Sequence, residues 1–156
     1  MIEPNSPALP PFAARVIGTY RRWILALLVL SSAGTEVELL LLSHYEDPWQ
    51  VTPLILIATA IVIAIWIAIR PTAAGIRTLK VLMWAFIAAG GLGVILHFRS
   101  GAEFAIETDP TLSHGQLLWK VLRAKAPPAL APGVMVQMGL LGLMYTYKYP
   151  AARGVE

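Results

Sequence analysis

The chain has 156 residues, of which 57% are hydrophobic and only 13% are charged. Soluble domains carry about 25% charged residues, and the apolar residues here stand in long runs, so the composition indicates a membrane protein. The net charge of +3 comes from basic residues at the ends of those runs, which argues against nucleic-acid binding. The sequence contains no cysteine, which excludes disulfides, thiolate metal sites and covalent c-type haem attachment.

Residues 1–22 form a proline-rich N-terminal arm and a surface segment with three arginines. We expect the arm to have no core of its own and the arginines to lie at the level of the lipid headgroups. The arginine pair, the apolar run after it and the small residues 31–33 resemble a signal peptide. Because the leading segment is long and the apolar run resumes at Val37, we predict a retained first span instead.

Four apolar runs predict four transmembrane helices, since a membrane crossing needs about 20 predominantly apolar residues. The predicted spans cover residues 23–43, 51–69, 81–98 and 133–147. The predicted fold is therefore an all-α membrane protein, a four-transmembrane-helix bundle over residues 23–149. The second span is almost purely aliphatic and is expected to face lipid, while the first, third and fourth spans form the packed core.

The third span carries a cluster of small residues in its second half, namely Gly90, Gly91 and Gly93. Clustered small residues let helix backbones approach closely in lipid, where packing drives association. We expect these glycines to face another helix, and the small residues 31–35 of the first span offer a matching patch. Gly139 and Gly142 in the fourth span are also interpreted as packing positions.

The long outer loop, residues 99–132, contains an amphipathic segment from Leu112 to Lys125. On a helix, its apolar residues fall on one side and its basic residues largely on the other. The apolar set is Leu117, Leu118, Val121 and Leu122, and the basic set is Lys120, Arg123 and Lys125. The pattern predicts an interfacial helix between the third and fourth spans. The groove of a soluble partner is the alternative occupant of the apolar side.

The distribution of basic residues predicts the orientation in a bacterial inner membrane. Four spans place both termini on one side, and that side collects eight of the twelve lysines and arginines. They are Arg15, Arg21, Arg22, Arg70, Arg77, Lys80, Lys148 and Arg153. The positive-inside rule therefore places both termini in the cytoplasm.

Two carboxylic acids and one amide lie inside the predicted spans: Glu36, Glu38 and Gln137. An ionisable group at membrane depth is costly and usually faces a protein interior. Two positions apart on a helix, the glutamates point to nearly opposite faces, so they do not form one paired-carboxylate site. Both are expected to be protonated or hydrogen-bonded; a proton or ion path is the alternative, and Gln137 can hydrogen-bond between helices.

The first and third spans each end in a histidine, His44 and His97, on the same membrane side. Facing imidazoles can hold a b-type haem or a chlorin magnesium axially. Together with Glu38 or His114 they can instead bind a metal such as zinc or copper. No HxxxH or HExxH spacing is present, so hydrogen-bonded histidines without any cofactor are the main expectation.

Three segments together resemble a group of small four-span bacterial inner-membrane proteins. They are HYEDPWQ after the first span, LHFRSGAEFAIETDP after the third, and KAPPALAPG…LLGLMYTYKYP at the end. The resemblance implies the span count and the membrane, and it transfers no activity and no functional residues.

No motif for a reaction is present, so the sequence predicts a protein that is not an enzyme. The expected function is a non-catalytic accessory subunit of a larger bacterial membrane complex of respiratory or photosynthetic type, with other membrane subunits and lipid as its partners. Two alternatives stay open. One is a haem, chlorin or metal-binding protein that uses His44 and His97; the other is a small proton-coupled transporter that uses Glu36 or Glu38.

Overall fold

The computed structural model describes residues 10–124 and 130–149, and all the regular structure in these ranges is helical. The helices are α1 (Pro11–Leu41), α2 (Pro48–Ile69), α3 (Ala73–Thr108), α4 (His114–Leu122) and α5 (Leu130–Thr146). Among them α1, α2 and α3 are long and apolar enough to cross a membrane, and α5 is a shorter apolar helix. The prediction of an all-α fold is confirmed, and α1, α2 and α3 are candidate membrane spans by length and composition. Most of the predicted arm, Lys125 and Arg153 lie outside the described residues.

The helices that contain the first and third predicted spans extend well beyond those spans. α1 begins at Pro11, and α3 runs from Ala73 to Thr108, so residues 99–108 are helical rather than loop. No proline interrupts the chain between Phe98 and Thr108, and Arg99 donates to Glu103 over 2.8 Å, a favourable i,i+4 pair. The helix stops directly before Asp109-Pro110, because a proline disfavours helical geometry in the residue before it.

Side-chain caps mark the starts of α2, α3 and α4. The Asp47 carboxylate accepts hydrogen bonds from the backbone of Trp49 and Gln50, at 2.8 and 3.0 Å, and starts α2. The Thr72 hydroxyl caps α3 in the same way, and Ser113 forms a capping box with Gln116 at the start of α4. The connections from α1 to α2 and from α2 to α3 are short, and each ends in one of these caps.

α1, α2, α3 and α5 contact one another in a closed ring, in which α1 touches α2 and α5, and α3 touches the same two. α1 and α3 lie across the ring from each other. The prediction that the second span stays outside the core is wrong, since α2 contributes fully buried residues such as Ile57 and Ala64. A helix that is aliphatic all round gives no sign of which face is covered.

Gly90 and Gly93 of the third span pack against α5 and not against α1. A methyl group added at Gly90 would lie 2.6 Å from the Pro132 carbonyl oxygen and 2.8 Å from Val136 Cγ2. One added at Gly139 would lie 2.8 Å from the carbonyl oxygen of Met83. The prediction that glycines mediate close helix packing is therefore confirmed at these positions. Gly91 faces open space, and the partner predicted in residues 31–35 is the wrong one.

α4 folds back onto the end of α3. Val121 is only 3% exposed, and its Cγ1 lies 3.2 Å from where a methyl group at Gly101 would stand. Leu118 and Leu122, from the same predicted apolar side, remain exposed. The predicted helix is thus present but shorter, and part of its apolar side is covered by α3.

Candidate functional site

A strained turn at the end of α1 sets the position of His44. The backbone N–H of His44 donates to the carbonyl of Leu39, and that of Ser43 donates to the carbonyl of Leu40, at 2.9 and 3.1 Å. This pair of bonds is the Schellman motif, in which the residue after the C-cap is left-handed and is usually glycine. Here that residue is Ser43, with φ of 53°. The turn reverses the chain within a few residues and directs His44 back towards the bundle.

His44 and His97 lie next to each other. The centroids of their imidazole rings are 6.2 Å apart, and the ring planes are 23° from parallel. His44 is half-buried and His97 is exposed. Since α1 and α3 lie across the ring of helices, the two histidines are brought together by the turn after α1 and not by contact between the helices.

His44 lies beyond the end of α1, and its surroundings favour the neutral imidazole. Burial lowers the pKa of His44 below its ordinary value, and the neighbouring His97 lowers it further, while the Asp47 carboxylate acts in the opposite direction. A neutral imidazole has a free ring nitrogen that can bind a metal or accept a hydrogen bond.

The remaining residues of the predicted metal site do not join the histidine pair. Glu38 is exposed on α1, and His114 is exposed at the start of α4. No three histidine, aspartate or glutamate side chains come together as a metal-binding group within residues 10–124 and 130–149. The pair therefore offers two ligands, and an axially bound haem or chlorin stays a prediction.

Glu36 points into the bundle. It lies on the same side of α1 as Ser32, which is 1% exposed and donates from its hydroxyl to the sulfur of Met138 on α5 over 3.4 Å. One carboxyl oxygen of Glu36, Oε2, is buried and has no hydrogen-bond partner among the described residues. A buried oxygen without a partner favours a protonated carboxyl or a bound water. The transport hypothesis for the glutamates stays a prediction.

Glu38 lies on a different side of α1 and is exposed. It belongs to a set of exposed residues that share one face of the helix, the outer stripe of α1. The outer stripe of α1 is Trp23, Leu27, Ser31, Gly34 and Glu38. A methyl group added at Gly34 would meet nothing within 4 Å. The stripe thus presents small residues and a carboxyl within a span.

Gln137 is exposed on α5, and its side chain makes no hydrogen bond to another residue of the described ranges. It does not form the predicted hydrogen bond between helices there.

Sequence reasoning missed the contact that joins α1 to the end of α5. The guanidinium of Arg21 donates to the backbone carbonyls of Tyr147 and Lys148, at 3.1 and 3.2 Å. It also lies over the ring of Tyr149, 4.7 Å from its centroid. Carbonyls at the end of a helix lack partners within it, so a cation there is favoured. Arginine and tyrosine near the ends of spans indicate anchoring at the lipid headgroups, but their positions in the sequence do not predict that Arg21 contacts Tyr149.

Comparison with known protein families, with curated proteins and with solved structures found no match to this chain. Its function therefore has to be inferred from its own residues.

Proposed function

We propose that the chain is a non-catalytic accessory subunit of a larger bacterial membrane complex of respiratory or photosynthetic type. In this proposal α5 crosses the membrane together with α1, α2 and α3, and both termini lie in the cytoplasm. The observation that carries it is the outer stripe of α1, a membrane-facing surface with a carboxyl that no part of the described chain covers.

The stripe suits another protein better than lipid. On membrane-insertion scales, a carboxylate near the centre of a span costs about 2.5–3.5 kcal/mol, and Glu38 would bear part of this cost if it faced lipid. Ser31 and Gly34 let another helix backbone approach closely. The face can also receive a helix, because no described residue lies within 4 Å of where a methyl group at Gly34 would stand.

The partner is a helix of a different subunit, one that offers a basic side chain or another hydrogen-bond donor at the depth of Glu38. Two copies of this chain that met in parallel through the same stripe would bring equivalent residues to one interface. Their Glu38 carboxylates would then lie at the same depth, where like charges repel. Charge complementarity thus favours a different subunit over a second copy.

Purification from the native membrane tests the proposal. The tagged chain would be isolated in mild detergent as wild type, as Gly34→Leu and as Gly91→Leu, and analysed by native mass spectrometry. Both glycines face open space on the surface of the bundle, so Gly91→Leu is the matched control. We expect stoichiometric partner subunits with wild type and with the control, and their loss with Gly34→Leu.

Two results would overturn the proposal. One is a chain that purifies alone or only as copies of itself. The other is a set of partner subunits that Gly34→Leu leaves in place, since this would remove the outer stripe of α1 as the docking surface.

A further inference from the structure

We propose that His44 and His97 form a two-coordinate site for copper(I) at the outer end of the bundle. This inference is independent of the proposed accessory role, because it rests on the histidine pair and not on the outer stripe of α1. The site combines a histidine on the turn after α1 with a histidine on α3.

The spacing of the rings matches a single ion between them. Metal–nitrogen bonds to histidine are about 2.0–2.1 Å long. The centroid separation of 6.2 Å is close to the sum of two such bonds and the distance from centroid to nitrogen in each ring. The rings are stacked, with their planes 23° from parallel. Both rings therefore have to turn about χ2, a soft torsion in histidine, to aim one nitrogen each at the midpoint.

The number of ligands selects the ion. Zinc takes four ligands, and a structural zinc site needs all of them from the protein. The histidine pair is not joined by a third histidine, aspartate or glutamate within the described ranges. Copper(I) is a d¹⁰ ion that is stable with two ligands in line, and imidazole is a suitable donor for copper.

The turn at Ser43, the Asp47 carboxylate and the exposure of His97 each favour the binding of a cation by the histidine pair. The Schellman turn at Ser43 fixes the backbone of His44, so little freedom is lost when an ion binds. The Asp47 carboxylate acts on His44 electrostatically and would partly balance the positive charge of the ion. The exposure of His97 gives an ion access from the aqueous side.

Copper binding to the purified full-length chain tests the site. The protein in detergent would be titrated anaerobically with copper(I) against a chromophoric copper(I) chelator, with excess zinc present. The variants are His44→Asn and His97→Asn, and His114→Asn is the control because it removes a histidine that lies apart from the pair. We expect one copper per chain in wild type and in the control, and its loss in each of the other two variants. X-ray absorption at the copper edge should show two nitrogen ligands.

Absence of stoichiometric copper in wild type would overturn the inference. So would copper that persists in His44→Asn or His97→Asn, or copper that zinc displaces. Sulfur ligands in the absorption spectrum would also overturn it, because they would assign the ion to methionines. The helical content of each variant, measured by circular dichroism, separates loss of the site from loss of the fold.

Discussion

The centroids of the imidazole rings of His44 and His97 lie 6.2 Å apart, although the helices that precede and contain them lie across the ring of helices from each other. The contact exists because α1 ends in a left-handed residue, Ser43, that turns the chain back over the bundle. The contact between the two rings therefore depends on the backbone conformation of Ser43 at the end of α1.

Replacement of Ser43 by glycine should stabilise the protein. A left-handed conformation costs a residue with a side chain about 1–2 kcal/mol, and glycine adopts it without that cost. Part of the gain is offset because glycine has more freedom in the unfolded chain, so we expect about 1 kcal/mol. Unfolding in detergent by heat or denaturant measures it. Ser31→Gly is the control, and it should instead destabilise the protein because Ser31 lies within a helix. A Ser43→Gly protein that is less stable than wild type would contradict the left-handed conformation of residue 43.

Acidification should weaken the arrangement around His44. Because burial and His97 lower its pKa in the folded state, the unfolded chain binds the proton more tightly. Stability is then fully present above the unfolded pKa of about 6.5, and it falls as the pH drops through that value towards the folded one. The measurement is unfolding midpoint against pH. His44→Asn should flatten the curve between pH 7 and 5, and an unchanged curve would show that His44 is not the group responsible.

An alanine at Gly90 should destabilise the contact between α3 and α5. Its methyl group would collide with the Pro132 carbonyl and Val136, and overpacking of this kind costs about 1–3 kcal/mol. Because the Pro132 carbonyl belongs to the backbone of α5, it can shift less than a flexible side chain could. Gly91→Ala is the matched control, since it faces open space one position away. Thermal unfolding of both variants in the same detergent measures the difference, and equal stability would place the helix contact elsewhere.

Removal of the Arg21 side chain should loosen the end of α5. Arg21→Ala deletes two hydrogen bonds to the carbonyls of Tyr147 and Lys148 and the contact with Tyr149. Because the guanidinium lies near the surface, we expect a loss of about 1.5 kcal/mol, at the low end for charged hydrogen bonds. Arg22→Ala is the control, as Arg22 donates to Thr19 within α1. Hydrogen exchange of the last turn of α5 should accelerate in Arg21→Ala alone.

The sequence predicts helices well and their neighbours poorly. Uninterrupted apolar runs determine that α1, α2 and α3 are long apolar helices, and the caps at Asp47 and Thr72 are visible as residue types. Which helix covers which is decided by packing over long separations. The glycine cluster at Gly90 indicates that another helix approaches α3 closely. The sequence does not say which one, because α1 and α5 both carry small residues that could pack against it.

The candidate site shows the same limit. The sequence places His44 and His97 at the ends of spans on one membrane side, and helical periodicity separates Glu36 from Glu38. It does not indicate that α1 and α3 lie across the ring of helices, nor that a serine takes the left-handed position usually held by glycine. Both facts depend on the assembled fold, and together they decide that the rings meet.

The proposed docking of the outer stripe of α1 on another subunit can be measured by photocrosslinking in native membranes, with a photoreactive amino acid placed at Gly34 and, as control, at Gly91. We expect a crosslink from position 34 to a different membrane protein, and none of that product from position 91. Crosslinks from position 34 to lipid alone, or only to further copies of this chain, would show that the stripe does not dock on another subunit.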